Sequence, residues 1–93
     1  MDEGVAAVRR QFPAKAGAID DLATRDDEFR EICRDFAEAQ SELAKWESST
    51  GPKREERRRE YGELVAGLLN EIEAALEHAA ALPRSPSRPP PRR

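Results

Sequence analysis

His78 and Cys33 are the only histidine and the only cysteine in this 93-residue chain, and their isolation limits the chemistry available to it. A metal site needs several ligands converging on one ion, and no His/Cys pair stands at a suitable spacing. The carboxylate-plus-histidine pattern of di-iron bundles needs Glu three residues before His. Ala75 occupies that position, so His78 reads as a solvated helix residue beside Glu73 and Glu77. Cys33 would act as a nucleophile or redox sensor only with an activating base or cation nearby. Arg30 and Arg34 are close in sequence but no histidine is, and Cys33 reads as a small apolar residue flanking a helical seam. Asp20, Asp21, Asp26, Asp27 and Glu28 form an acidic run. A calcium loop needs oxygen ligands at alternate positions and a glycine for its turn. Leu22, Ala23 and the absence of Gly spoil that spacing, which leaves acids at helix ends.

Two basic features remain. Lys53, Arg54, Arg57, Arg58 and Arg59 form a dense cluster that would bind nucleic acid by neutralising phosphates, without reading sequence. Glu55, Glu56 and Glu60 interleave with it, and Trp46 stands across a predicted turn, where Arg54 or Arg57 can stack on the indole. The stretch Pro83-Arg84-Ser85-Pro86-Ser87-Arg88 fits the loose pattern of a polyproline ligand. There is no phosphate-binding glycine loop, dinucleotide fingerprint or nucleophile elbow. The expectation is no catalysis, no cofactor and no metal.

The elements that must carry these residues are helical. Phe29, Ile32, Phe36, Ala39, Leu43 and Trp46 recur at alternating intervals of three and four, a coiled-coil-like stripe that no strand produces. Charged residues of both signs fill the positions between. Asp26, or Thr24 with Asp27 three residues on, can cap the start. Ser48-Ser49-Thr50-Gly51-Pro52 breaks the pattern, with Pro52 suited to a first helical position. The period returns at Tyr61, Val65, Leu68, Ile72, Ala75, Ala79 and Leu82, widened by Leu64, Leu69 and Leu76. A short linker makes the two flanking helices antiparallel. The spacing thus predicts long helices over about 27–47 and 53–82, with Phe36 facing Leu64 and Val65, and Tyr61 facing Ala39. The second helix overhangs the first. Ile19 and Leu22, on a short helix near 14–23, can cover that overhang. A weaker helix at 3–11, carrying Val5 and Val8, precedes Phe12 and the helix-ending Pro13.

The fold class expected is therefore all-α: an antiparallel helical hairpin with one or two short N-terminal helices packed on it. Residues 1–82 make a single helical domain, and 83–93, with five Pro and four Arg, a disordered tail. Charged residues are 38% of the chain, above the roughly 25% of an average soluble protein. Residues 1–82 carry 12 Lys/Arg against 19 Asp/Glu, whereas 83–93 carry four Arg and no acid. An acidic body is a poor match for nucleic acid. No apolar run approaches the ~20 residues that span a bilayer, and the acidic start Met1-Asp2-Glu3-Gly4 is unlike a signal peptide. A cytoplasmic location is expected.

Phe12-Pro13, Ile19, Leu22, Phe29, Ile32, Leu43 and Glu47 follow, in order and approximate spacing, the pattern of the YdcH-type family of short uncharacterised bacterial α-hairpin proteins. The resemblance covers roughly residues 11–75, and Phe12-Pro13 is its most distinctive element. Two features differ: Phe36 and Ser41 stand where family members often carry histidines and polar residues, and the second helix is acidic beyond Tyr61 rather than lysine-rich. The resemblance implies a small helical bacterial protein of the cytoplasm and supplies no activity or site.

These readings converge on a non-catalytic protein–protein interaction module or small regulator, binding a protein partner or a second copy of itself. Trp46, Arg54, Arg57, Leu64, Leu69 and Leu76 are the expected interaction residues. The alternatives are a nucleic-acid-associated protein using Arg57 to Arg59 and the basic tail, and a redox regulator acting through Cys33.

Overall fold

A computed structural model describes residues 2–81 of the chain, and these are all-α. Helix α1 spans Glu3–Gln11, a 3-10 turn follows at Pro13–Lys15, and α2 spans Ala16–Arg25. The long helices are α3, Asp27–Ser48, and α4, Arg54–Ala81. The described residues contain no strand. The expected end of the second long helix at Leu82 and the expected unstructured tail lie outside the described residues.

Local chemistry sets each boundary. Asp2 caps α1: its carboxylate accepts from Gly4 N–H at 2.8 Å and from Val5 N–H at 3.4 Å. These are donors that the first turn leaves without a helical partner. Pro13 ends α1 and opens the 3-10 turn. Of the two caps considered for α3, Asp26 is the one used, accepting from Phe29 N–H at 3.1 Å. Thr24 instead turns its hydroxyl back to the carbonyl of Asp21 at 2.7 Å. Pro52 sits in the turn ahead of α4 rather than in its first helical position. Arg54 N–H donates to the Gly51 carbonyl at 3.1 Å, and the helix starts there.

The short turn between Ser48 and Arg54 folds α4 back on α3. Residues near the turn meet residues near the turn, and positions 35–42 share a groove with 61–68. The core is made of Phe29, Cys33, Phe36 and Ala39 of α3, Leu68, Ile72 and Leu76 of α4, and the buried faces of α1 and α2. Ile19 and Leu22 are buried in the same cluster, and α2 packs on α3 and on the C-terminal part of α4, as the overhang required.

Helix α1 contributes more than its weak sequence signal implies. Val5, Ala7 and Val8 are all buried, and α1 packs chiefly along α3. Gly4 makes that approach work. A Cβ placed there would lie 2.6 Å from the Arg34 nitrogen and 2.7 Å from its Cα and from the Cys33 carbonyl carbon. Those are backbone atoms of a neighbouring helix and cannot swing aside, so the crossing requires a residue without a side chain.

Candidate interaction surface

Burial falls along both long helices toward the connecting turn. On α3, Phe29, Cys33 and Phe36 are at most 1% exposed, while Leu43 and Trp46 are only half-buried. On α4, Ile72 and Leu76 are buried, Tyr61 and Val65 are half-buried, and Leu64 is 49% exposed. The packing of α1 and α2 falls at the other end, so the stretch near the turn is two helices thick.

A groove of ≈ 450 Å³ runs between the two helices in this thinner stretch. Ala39 of α3 and Tyr61, Leu64 and Leu68 of α4 supply its apolar surface, and Asp35, Glu38 and Glu42 its acidic rim. Glu42 also borders a smaller depression formed with Lys45, Trp46 and Ser49. Glu42 pairs with Lys45 at 3.1 Å, whereas Asp35 and Glu38 have no basic partner among the described residues. The acids at 35, 38 and 42 keep the same three-and-four spacing as the apolar stripe beside them. They looked like an ordinary solvated face in sequence. Their place beside an exposed leucine required knowing which flank of the stripe α4 leaves open.

The six expected interaction residues separate. Leu64 and Trp46 lie on this open stretch. Leu69 is half-buried and packs against the core. Leu76 is 6% exposed, beside α2 residues Gly17, Ala18, Asp21 and Arg25, and does not face outward. Arg54 directs its guanidinium at the carbonyl of Glu47, donating from Nη2 at 3.1 Å and Nε at 3.4 Å. That caps a carbonyl at the end of α3 and ties the turn together. Arg57 donates to Glu60 at 2.8 Å. The hydrogen bonds of these two side chains therefore go to α3 and α4 rather than orienting them on Trp46.

The basic cluster is balanced locally. Arg58 pairs with Glu55 at 2.8 Å, and Glu55 is held below the usual carboxylate range by that hydrogen bond and charge. Arg57 and Arg58 are shifted upward by Glu60 and Glu55 respectively. Exposed pairs of this kind contribute little to stability. Their effect here is to place an acid beside two of the three arginines, Arg57 to Arg59, that would neutralise phosphates.

Cys33 is fully buried and free, and burial, with a smaller push from the Asp2 carboxylate, raises its thiol to about 11. It is therefore protonated at neutral pH, the opposite of an activated thiolate. Asp2 is lowered, first by the Gly4 N–H and further by Val5 N–H and the charges of Arg34 and Arg30. His78 is exposed. Among the described residues, no group of three or more His, Cys, Asp or Glu side chains converges as a metal site would require. None of their helices is long and apolar enough to cross a membrane.

A second open groove, of ≈ 830 Å³, lies between α1 and α3. Its floor includes Gly4 and Ala7, and charges of both signs ring it, Asp2 and Glu38 against Arg10 and Arg34. It has neither the exposed large apolar side chain nor the single sign of charge found at Leu64. Comparison with protein-family models, with curated proteins and with solved structures finds no match to this chain.

Proposed function

We propose that this chain is a small non-catalytic helical hairpin protein that works by binding another polypeptide on the open face of its α3–α4 arm. The observation that carries this reading is Leu64. It is 49% exposed in a groove with half-buried Tyr61 and buried Leu68, on the stretch that α1 and α2 leave uncovered. A single exposed leucine is unremarkable by itself. Here it adjoins an aromatic residue and continues toward the half-buried Trp46, which makes a strip rather than a point. Aromatic anchors beside an aliphatic contact, with a charged rim, are the composition of an interface centre.

A second copy of the chain is the first partner to consider, since such a small core gains most from added buried surface. The nucleic-acid alternative has less support, because Arg57 and Arg58 already carry acidic partners. The YdcH-type resemblance and a cytoplasmic location fit a small helical adaptor and belong to the same proposal.

Sedimentation equilibrium from low to high micromolar concentration tests self-association. Wild-type chain should exceed the monomer mass and Leu64→Ser should not; a monomer throughout removes the second copy. Purification of tagged wild-type and Leu64→Ser protein from the source cell tests a heterologous partner. A stoichiometric protein held by wild type and lost from the variant is expected. Equal capture by both would sink the assignment to this face.

A further inference from the structure

We propose that the groove at Leu64 takes a second copy of this chain in one defined register, the two α4 helices antiparallel about a two-fold axis at Tyr61. The inference rests on the reading of the open face above and adds the partner and its alignment. Its basis is a stripe on α4 that runs from the groove toward the turn. Arg54, Arg57, Tyr61, Leu64 and Leu68 recur at intervals of three, four, three and four, so they share one helical face. The half before Tyr61 is basic and the half after it is apolar. Arg54 and Leu68 stand seven residues to either side of Tyr61. A face divided in this way is complementary to itself under a two-fold rotation, which lays the basic half of each copy on the apolar half of the other.

The acidic rim supplies the opposite charges. In the antiparallel α3–α4 pair, Glu42 stands toward the Tyr61 end of the groove and Asp35 toward the Leu68 end. The second copy's α4 runs parallel to this α3. Asp35, Glu38 and Glu42 are spaced by three and four, as are Arg54, Arg57 and Tyr61. With Tyr61 at the axis, the two sets come level residue for residue. Asp35 then faces Arg54 of the second copy, Glu38 faces its Arg57, and Glu42 accepts from its Tyr61 hydroxyl. The arginine stems lie along Leu64 and Leu68, apolar surface of the kind such side chains cover while their charged heads stay in water. Asp35 and Glu38 have no basic partner among the described residues, so the contact neutralises charge that the single chain leaves unopposed. In the single chain Arg54 holds the Glu47 carbonyl and Arg57 the Glu60 carboxylate. Both contacts are exposed and cost little to exchange. The two-fold repeats every pair on the other side of the tyrosine centre.

A charge exchange tests the register in the full chain, with sedimentation equilibrium at low salt as the readout. One variant carries Arg54→Glu with Arg57→Glu, and the other Asp35→Lys with Glu38→Lys. Each sets like charges across the two-fold, so each alone should dimerise about 100-fold or more weakly than wild type. An equimolar mixture should recover a dimer, because every exchanged charge then meets its opposite. A chain carrying all four substitutions should dimerise by itself, which separates a lost interface from a lost fold. Recovery in either supports the register. The proposal is overturned if either variant alone dimerises like wild type, or if the mixture and the fourfold chain both stay monomeric. A wild-type chain that remains monomeric at high micromolar concentration overturns it as well. That last result leaves the Leu64-dependent capture of a different polypeptide standing, so this inference and the reading it rests on fail separately.

Discussion

The two ends of the α3–α4 pair follow the same sequence pattern and reach different states of burial. Away from the turn, Phe29, Cys33, Phe36 and Ile72 are almost completely buried because α1 and α2 pack there. Near the turn the same stripe continues through Leu43, Trp46, Tyr61 and Leu64, and none of these is fully buried. The period of the apolar residues therefore fixes which face of a helix is sticky, but not whether anything in the same chain covers it. Stability should concentrate in the covered end, and binding in the open one.

The largest expected break in that comparison is Phe36→Ala. It removes a ring with no exposed surface and should cost about 3–5 kcal/mol in urea unfolding. Next comes Gly4→Ala, whose added methyl meets the backbone of Cys33 and Arg34 and should cost about 1–3 kcal/mol. A third effect is pH-dependent. The buried Cys33 thiol is raised from 9.0 to about 11, so the unfolded chain releases its proton first as pH rises. Stability from this group is complete below pH 9.0, falls as pH climbs toward about 11, and levels off above it. Cys33→Ala should flatten that part of the Tm-against-pH curve relative to wild type.

The open end should behave differently. Gly62→Ala has nothing within 4 Å of the new Cβ and should stabilise the chain by about 0.5–1 kcal/mol, the reverse of Gly4→Ala. Leu64→Ser should alter thermal stability least, within about 0.5 kcal/mol, while abolishing binding through the face. A Leu64→Ser protein that unfolds as readily as Phe36→Ala would erase the distinction between the two ends.

Much of this was legible beforehand. The stripes from Phe29 to Trp46 and from Tyr61 to Ala79 have strict helical spacing, and the interruption at Ser48 to Pro52 is strong turn chemistry, so α3 and α4 lie within a residue or two of expectation where described. The role of Ile19 and Leu22 followed from the overhang of the second helix. The weight of α1 did not, because a nine-residue helix has little periodicity to read, and Gly4 reports its close crossing only once Arg34 is known to lie opposite. Trp46, Arg54 and Arg57 were read from a stacking contact across the turn, and Leu64, Leu69 and Leu76 from stripe width alone. That singled out Leu64 but also Leu76, which α2 adjoins, and it passed over Asp35 and Glu38, whose meaning depends on a neighbouring helix.

Hydrogen–deuterium exchange of the full chain, followed from low to high micromolar concentration and then with any captured partner, tests the division most directly. The slowest amides should lie in 29–33 and 72–76 and keep the same rates throughout. Those in 35–46 and 61–68 should exchange faster in dilute solution and slow when the face is occupied. Uniform protection along both long helices, unchanged by concentration or partner, would contradict the account.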